Sequence, residues 1–269
     1  MTPDPTAASN EDLSVTTSDD GVVVRATIDR PETHNALNDR VLDGLMAVMD
    51  AADGSPARVV VVRGADGTFC SGGDLSGMDE DGTPSMQERR RSSGKLSELF
   101  ERMVATSALT VAAVEGYCLA GGCGLAAACE FVVAAADAEF GTPEVNVGMF
   151  PMQAMASIMP AVREKQGLKL LFTGEHVSAT EGREIGLVTD VYDAESFDDE
   201  LAAFVDELAA NSPVMISMGK EAYYNQRDMS FERSYRYLKE MLVLLMESED
   251  HAEGVAAFLE DREPAWKRR

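Results

Sequence analysis

The chain has 269 residues, 45% of them apolar and 26% charged, a composition that suits a folded core and excludes disorder of the whole chain. Its 47 acidic and 23 basic residues leave a net charge of −24, which repels nucleic acid and anionic membrane alike, so neither is an expected partner. The basic runs Glu88-Arg89-Arg90-Arg91 and Lys267-Arg268-Arg269 are too short to override that field.

From the N-terminus, residues 1–11 read as a polar, disordered tail. Val22 to Ile28 has the pattern of a strand, and Val41 to Ala51 carries apolar residues at helical spacing. Arg58 to Arg63 is a buried-type strand, Leu96 to Ala105 a helix, and Thr110 to Val114 and Phe131 to Ala136 are further strands. Alternating strands and helices predict an α/β core with parallel pairing over residues 12–195. Beyond it the strands stop, and Phe197 to Asn211, Val214 to Arg227, Phe231 to Glu247 and Gly254 to Arg262 read as helices, so residues 196–269 form a C-terminal helical region that caps a pocket or packs on another subunit.

Acidic residues crowd the polar faces, as expected of a protein kept hydrated in concentrated salt, and a halophilic setting is predicted. With no signal-type apolar run at the N-terminus and no uninterrupted apolar stretch of about 18 residues, a soluble cytoplasmic protein is expected. Cys70, Cys118, Cys123 and Cys129 show no CxxC spacing and read as small buried thiols. His34, His176 and His251 form no ligand motif, so no metal is expected.

Chemistry concentrates at three places. Phe69-Cys70-Ser71-Gly72-Gly73-Asp74-Leu75 and Ala120-Gly121-Gly122-Cys123-Gly124 are glycine turns between a strand-type run and a helix, where backbone N–H groups are available to developing negative charge. Phe140-Gly141-Thr142-Pro143-Glu144-Val145 presents one carboxylate in an apolar segment. Freed N–H groups and a single acid are what holding an enolate oxygen and moving a proton on the neighbouring carbon require. Gly122 to Ala127 also fits GxGxxA, but only one to two helical turns separate it from the next strand, too few for a dinucleotide-binding crossover. Asp74 reads as a residue favouring a helix N-terminus.

Together these segments resemble the crotonase superfamily, the enoyl-CoA hydratase/isomerase group. The resemblance runs from Ile28-Asp29-Arg30-Pro31-Glu32-Thr33-His34-Asn35-Ala36-Leu37 through both turns, Phe140 to Gly148, Leu171-Phe172-Thr173-Gly174, Ala179 and Gly186-Leu187-Val188, to Glu253 to Glu260. It implies a spiral of ββα repeats with a C-terminal helical region, assembled as a homotrimer or a dimer of trimers, acting on an unsaturated acyl-CoA thioester. Coenzyme A would enter as part of the substrate, with no other cofactor. The resemblance further implies an oxyanion hole from the N–H groups of Ser71 and Gly121, Glu144 as general acid/base, and ligand contacts from His34, Asn35, Ala36, Ser71, Gly72, Gly73, Asp74, Leu75, Gly121 and Gly124. Two features depart from it. Gly124 stands where two-glutamate hydratases of the family carry the first carboxylate, and Pro151-Met152-Gln153-Ala154-Met155 replaces a glycine-rich segment, which reshapes the acyl pocket. Hydratase is the expected activity; the alternatives are a single-glutamate 3-enoyl to 2-enoyl isomerase and a non-catalytic acyl-CoA-binding member.

Overall fold

The computed structural model describes residues 3–74 and 85–267. Its strands in chain order are β1 (Leu13–Thr17), β2 (Val23–Ile28), β3 (Val59–Gly64), β4 (Leu109–Val114), β5 (Tyr117–Leu119), β6 (Phe131–Ala135), β7 (Glu139–Gly141), β8 (His176–Ser178) and β9 (Asp190–Tyr192). The helices are α1 (Asp39–Ala52), α2 (Met86–Ala105), α3 (Gly121–Ala128), α4 (Met152–Ala161), α5 (Glu164–Thr173), α6 (Ala179–Ile185), α7 (Phe197–Ala209), α8 (Pro213–Gln226), α9 (Phe231–Met246) and α10 (Glu249–Glu260). Six strands form one sheet in the order β1-β2-β3-β4-β6-β9, parallel except for the β1–β2 pair. β5, β7 and β8 form a second, small sheet, whose edge is extended by an isolated bridge between Cys70 and Cys118. Each turn of the spiral therefore sends one strand into the large sheet, a short one into the small sheet, and then a helix, as β4-β5-α3 and β6-β7-α4 do.

The central strands are apolar on both faces because both are covered. Val60, Val62, Ala112, Val114, Val132 and Ala134 join the main core with α1 and with Leu99 and Met103 of α2. The alternate residues Val59, Val61, Val111, Ala113, Val133 and Ala135 pack on Phe197, Leu201 and Val205 of α7. The α/β core and C-terminal helices thus appear as expected, but α7 is a layer on the sheet, so the expected boundary near residue 195 falls inside a packed unit. All four cysteines are free and buried. Among the described residues, no helix is long and apolar enough to cross a membrane.

Two expectations are corrected. The N-terminal residues are folded from Asp4 on: Asp4 accepts the Thr6 N–H at 2.9 Å, Pro5 is buried at the start of a 3₁₀ turn (Pro5–Ala8), and Asn10 bridges to Leu13. An Asp-Pro start caps and pre-sets such a turn whatever the polarity around it. Helix α2 begins ten residues before the expected Leu96, at a capping box in which Ser85 and Glu88 satisfy each other's backbone N–H groups. That first half is polar in sequence, so it carries no apolar period.

Candidate active site

A cavity of about 890 Å³ opens where the two glycine turns meet the segment that carries Glu144. The first turn contributes Ser71, Gly73 and Asp74, the second Ala120 and Gly121, and the walls come from Leu96 and Ser93 of α2, Glu144, Asn146 and Val147, and Phe150 to Ala154. Strand pairing brings these together. β5 pairs with β7 so that Leu119 faces Gly141, and the Ala120 N–H donates to the Gly141 carbonyl at 2.8 Å, which seats the second turn beside the Glu144 segment. The Leu119 N–H donates to the Cys70 carbonyl at 2.8 Å, which seats the second turn beside the first. Gly72 makes that approach possible: its φ is +112°, and a Cβ there would lie 2.6 Å from the Ala120 Cβ.

The hydrogen bonds on the first turn correct the expected oxyanion donor. The Ser71 N–H donates to the His34 carbonyl at 3.0 Å, and its hydroxyl donates to the Thr33 carbonyl at 3.0 Å. The Gly72 N–H donates to the Cys70 sulfur at 3.3 Å. Gly73 has no N–H acceptor among the described residues, and neither does Gly121, the first residue of α3, whose N–H belongs to the unsatisfied set at a helix start. A Cβ built at Gly121 would lie 3.7 Å from the Gly73 nitrogen, so the two open donors are neighbours. Sequence reasoning found the turn but not the residue, because the engagement of Ser71 depends on a carbonyl 37 positions away.

Glu144 lies in the first turn of a 3₁₀ segment (Pro143–Val147) closed by Gly148 in the left-handed conformation. The buried Thr142 ties that segment to α5 by donating to the Leu170 carbonyl at 2.9 Å. Glu144 Oε2 is buried without a hydrogen-bond partner. Burial pushes its carboxyl above the ordinary carboxylate range, and a bond from its own backbone N–H offsets only part of that shift. The cavity's other acids are engaged: Asp74 pairs with Arg30 at 2.7 Å and Asp39 with Lys95 at 3.1 Å. Asp74 is therefore an ion-paired anchor of the turn. The Cys70 thiol beneath it is pushed up to about 12 by burial and is inert.

The remaining expected contacts are placed elsewhere. Asn35 is wholly buried, donating to the Ala65 and Thr68 carbonyls at 2.9 and 2.6 Å and accepting the Arg30 N–H at 2.9 Å. Ala36 is buried too, with its carbonyl taken by Arg30 at 2.6 Å, so of this stretch His34 alone is exposed. His34, Asn35, Ala36, Gly72 and Gly124 do not line the cavity, and Leu75 lies outside the described residues. Gly124 is a packing contact: a Cβ there would stand 2.6 Å from the Cβ and 2.7 Å from the Cα of Ala154 on α4. A carboxylate at this position has no room unless α4 moves.

A family model described as enoyl-CoA hydratase/isomerase matches residues 18–269. The chain belongs to the enoyl-CoA hydratase/isomerase family. Among relatives of this family, a 2,3-dehydroadipyl-CoA hydratase of Escherichia coli is 30% identical over 92% of this chain and 96% of its own length. The mitochondrial enoyl-CoA hydratase domain-containing protein 3 of Xenopus laevis is 30% identical over 90% of this chain and 82% of its own. Among solved structures, an enoyl-CoA hydratase of Mycobacterium smegmatis superposes with a TM-score of 0.90 at 31% identity, covering 96% of this chain and 99% of that one. The spiral of ββα repeats expected from the sequence is the fold of this enoyl-CoA hydratase/isomerase family member.

Proposed function

We propose that this enzyme hydrates a 2-enoyl-CoA thioester with Glu144 as its one acid/base group. The observation that carries the reading is the joining, in one cavity, of two adjacent N–H groups without an acceptor among the described residues, on Gly73 and Gly121, with the Glu144 carboxyl, whose Oε2 has no hydrogen-bond partner. The thioester carbonyl oxygen accepts from both N–H groups, and its negative charge is stabilised as the enolate forms. Glu144 takes a proton from water as the hydroxyl adds to C3, then returns a proton to C2. Coenzyme A is part of the substrate. A second reading, isomerisation of a 3-enoyl to a 2-enoyl thioester, is favoured by the packing of Ala154 over Gly124, since a 1,3-proton shift needs one carboxylate and no water.

The enzyme is read as a cytoplasmic homotrimer or dimer of trimers, supported by the exposed apolar side chains of α9 and α10, among them Phe231, Leu242, Phe258 and Leu259. The test offers crotonyl-CoA and 3-hexenoyl-CoA separately in high salt and follows the absorbance of the conjugated thioester. Loss with crotonyl-CoA is the expected result; gain with 3-hexenoyl-CoA alone establishes the isomerase, and silence with both overturns the catalytic reading. Glu144→Gln is expected to lower the observed turnover by about 10²–10⁴ while thioester binding persists.

A further inference from the structure

Among the described residues, five that are not glycine have positive φ: His34, Asn35, Asp66, Ala120 and Asp261. Histidine, asparagine and aspartate are the side chains most at home in the left-handed basin, and alanine is not one of them. Ala120 lies outside that basin as well, at φ +51° and ψ −125°. Those angles belong to the first central residue of a type II′ turn, a position dominated by glycine, asparagine and aspartate, so holding an alanine there strains the backbone. The strain falls in the wall of the cavity, on the residue directly before Gly121.

The ψ angle of Ala120 sets the plane of the peptide unit that carries the Gly121 N–H. Within that plane the Ala120 carbonyl and the Gly121 N–H point in opposite directions. The carbonyl accepts the Gly124 N–H at 3.2 Å and is turned into α3, so the Gly121 N–H is turned out of the helix start, on the side where Gly73 lies. Relaxing Ala120 into the left-handed basin would rotate the plane by about 170°. The bond from Gly124 would break, and the Gly121 N–H would turn away from that of Gly73. Three contacts hold the residue against this: the carbonyl bond just described, its own N–H donating to the Gly141 carbonyl at 2.8 Å, and its methyl group. The methyl stands between the two glycine turns, filling the space over Gly72, where a Cβ would come within 2.6 Å of it.

We propose that Ala120 is the positioning residue of the oxyanion pair: its methyl, wedged against Gly72, maintains the strained backbone that aims the Gly121 N–H beside that of Gly73. The inference rests on the oxyanion pair of the reading above and serves hydratase and isomerase chemistry alike. No bond is made or broken at Ala120. A glycine at this position would reach both orientations of the peptide plane without strain. The donor would then no longer be fixed before the thioester arrives, and stabilisation of the enolate depends on donors that are already in place.

The test reads donor alignment and fold stability separately. Butyryl-CoA labelled with ¹³C at the thioester carbonyl reports, by infrared difference spectroscopy at saturation, the fall in its C=O stretching frequency when both N–H groups donate to it. It has no double bond to hydrate or shift, so this readout is independent of turnover. The wild type is expected to show the fall. Ala120→Gly is expected to lose most of it and to lower kcat, on whichever of crotonyl-CoA and 3-hexenoyl-CoA turns over, by about 10–100-fold with KM little changed. Its melting temperature is expected to be held or raised, because the strain is gone. Ala120→Ser, which restores a Cβ, is expected to restore both the frequency fall and the rate. An Ala120→Gly enzyme with the full fall and the wild-type kcat overturns the proposal. So does one that melts below wild type in step with its loss of rate, which would make the methyl ordinary packing. A wild type whose bound thioester keeps its free frequency removes the oxyanion pair itself, and with it the reading on which the inference rests.

Discussion

Glu144 is held where its charged form is disfavoured, and that sets its effect on stability. Its folded-state pKa is raised by burial, so relative to the unfolded chain its contribution is most favourable at acid pH, where the carboxyl is neutral in both states. That contribution is lost as pH rises through the raised value, because the folded protein must then hold a desolvated carboxylate. Glu144→Gln is accordingly expected to raise the melting temperature near neutral pH and to change it little near pH 4, where wild type and variant are both uncharged at this position. A variant that melts below wild type at neutral pH would mean that the carboxylate is a structural anchor. The residue itself was legible as a lone acid in an apolar segment. The proposed oxyanion partner was not: Ser71, Gly72 and Gly73 are equally plausible donors in sequence, and only the bonds from Ser71 to His34 and from Gly72 to Cys70 leave Gly73 without an acceptor among the described residues.

At the scale of elements, long apolar strands and amphipathic helices were visible in the sequence, whereas β5, β7 and β8 span three residues each, too few for an alternating period to register. Those short strands seat both glycine turns, so the site's geometry was hidden where its residues were not. Also invisible was a polar contact that ties α8 to the core. Lys220 of α8 is buried and donates to the Met103 and Ala108 carbonyls, each at 2.7 Å, while meeting Glu130 at 3.1 Å. Glu130 in turn accepts from Tyr224 at 2.8 Å and from the Thr110 hydroxyl at 2.9 Å. Burial pulls Lys220 below the ordinary lysine range even with Glu130 beside it. Lys220→Ala would strand a mostly buried carboxylate and two carbonyls, and is expected to cost ~3–5 kcal/mol in denaturant unfolding. Lys220→Met combined with Glu130→Gln removes both charges and is expected to cost less than the single change. The reverse order would mean that the charge pair itself, and not its unpaired remnant, dominates.

For the whole molecule, two features pull against each other. A net charge of −24 drives like subunits apart, while α9 and α10 expose Phe231 at 87%, Phe258 at 85% and Leu259 at 77%, more apolar surface than an isolated subunit leaves to water without consequence. Salt decides between them. The Debye length is ~3 Å at 1 M and ~10 Å at 0.1 M, so charges on facing surfaces are screened in concentrated salt and repel across an interface in dilute buffer. In the proposed oligomer each subunit would keep its own core, shielded on both sheet faces, on dissociation, so repulsion should act first between subunits and only then within them. On dialysis from molar salt to dilute buffer, sedimentation is expected to report dissociation at a salt concentration where circular dichroism still reports intact helices, with unfolding following at lower salt. Simultaneous loss of mass and helicity would mean that the C-terminal helices fold only within the assembly. An assembly that persists unchanged in dilute buffer would mean that its apolar contact outweighs the charge, and that the acidic surface serves hydration in salt without governing association.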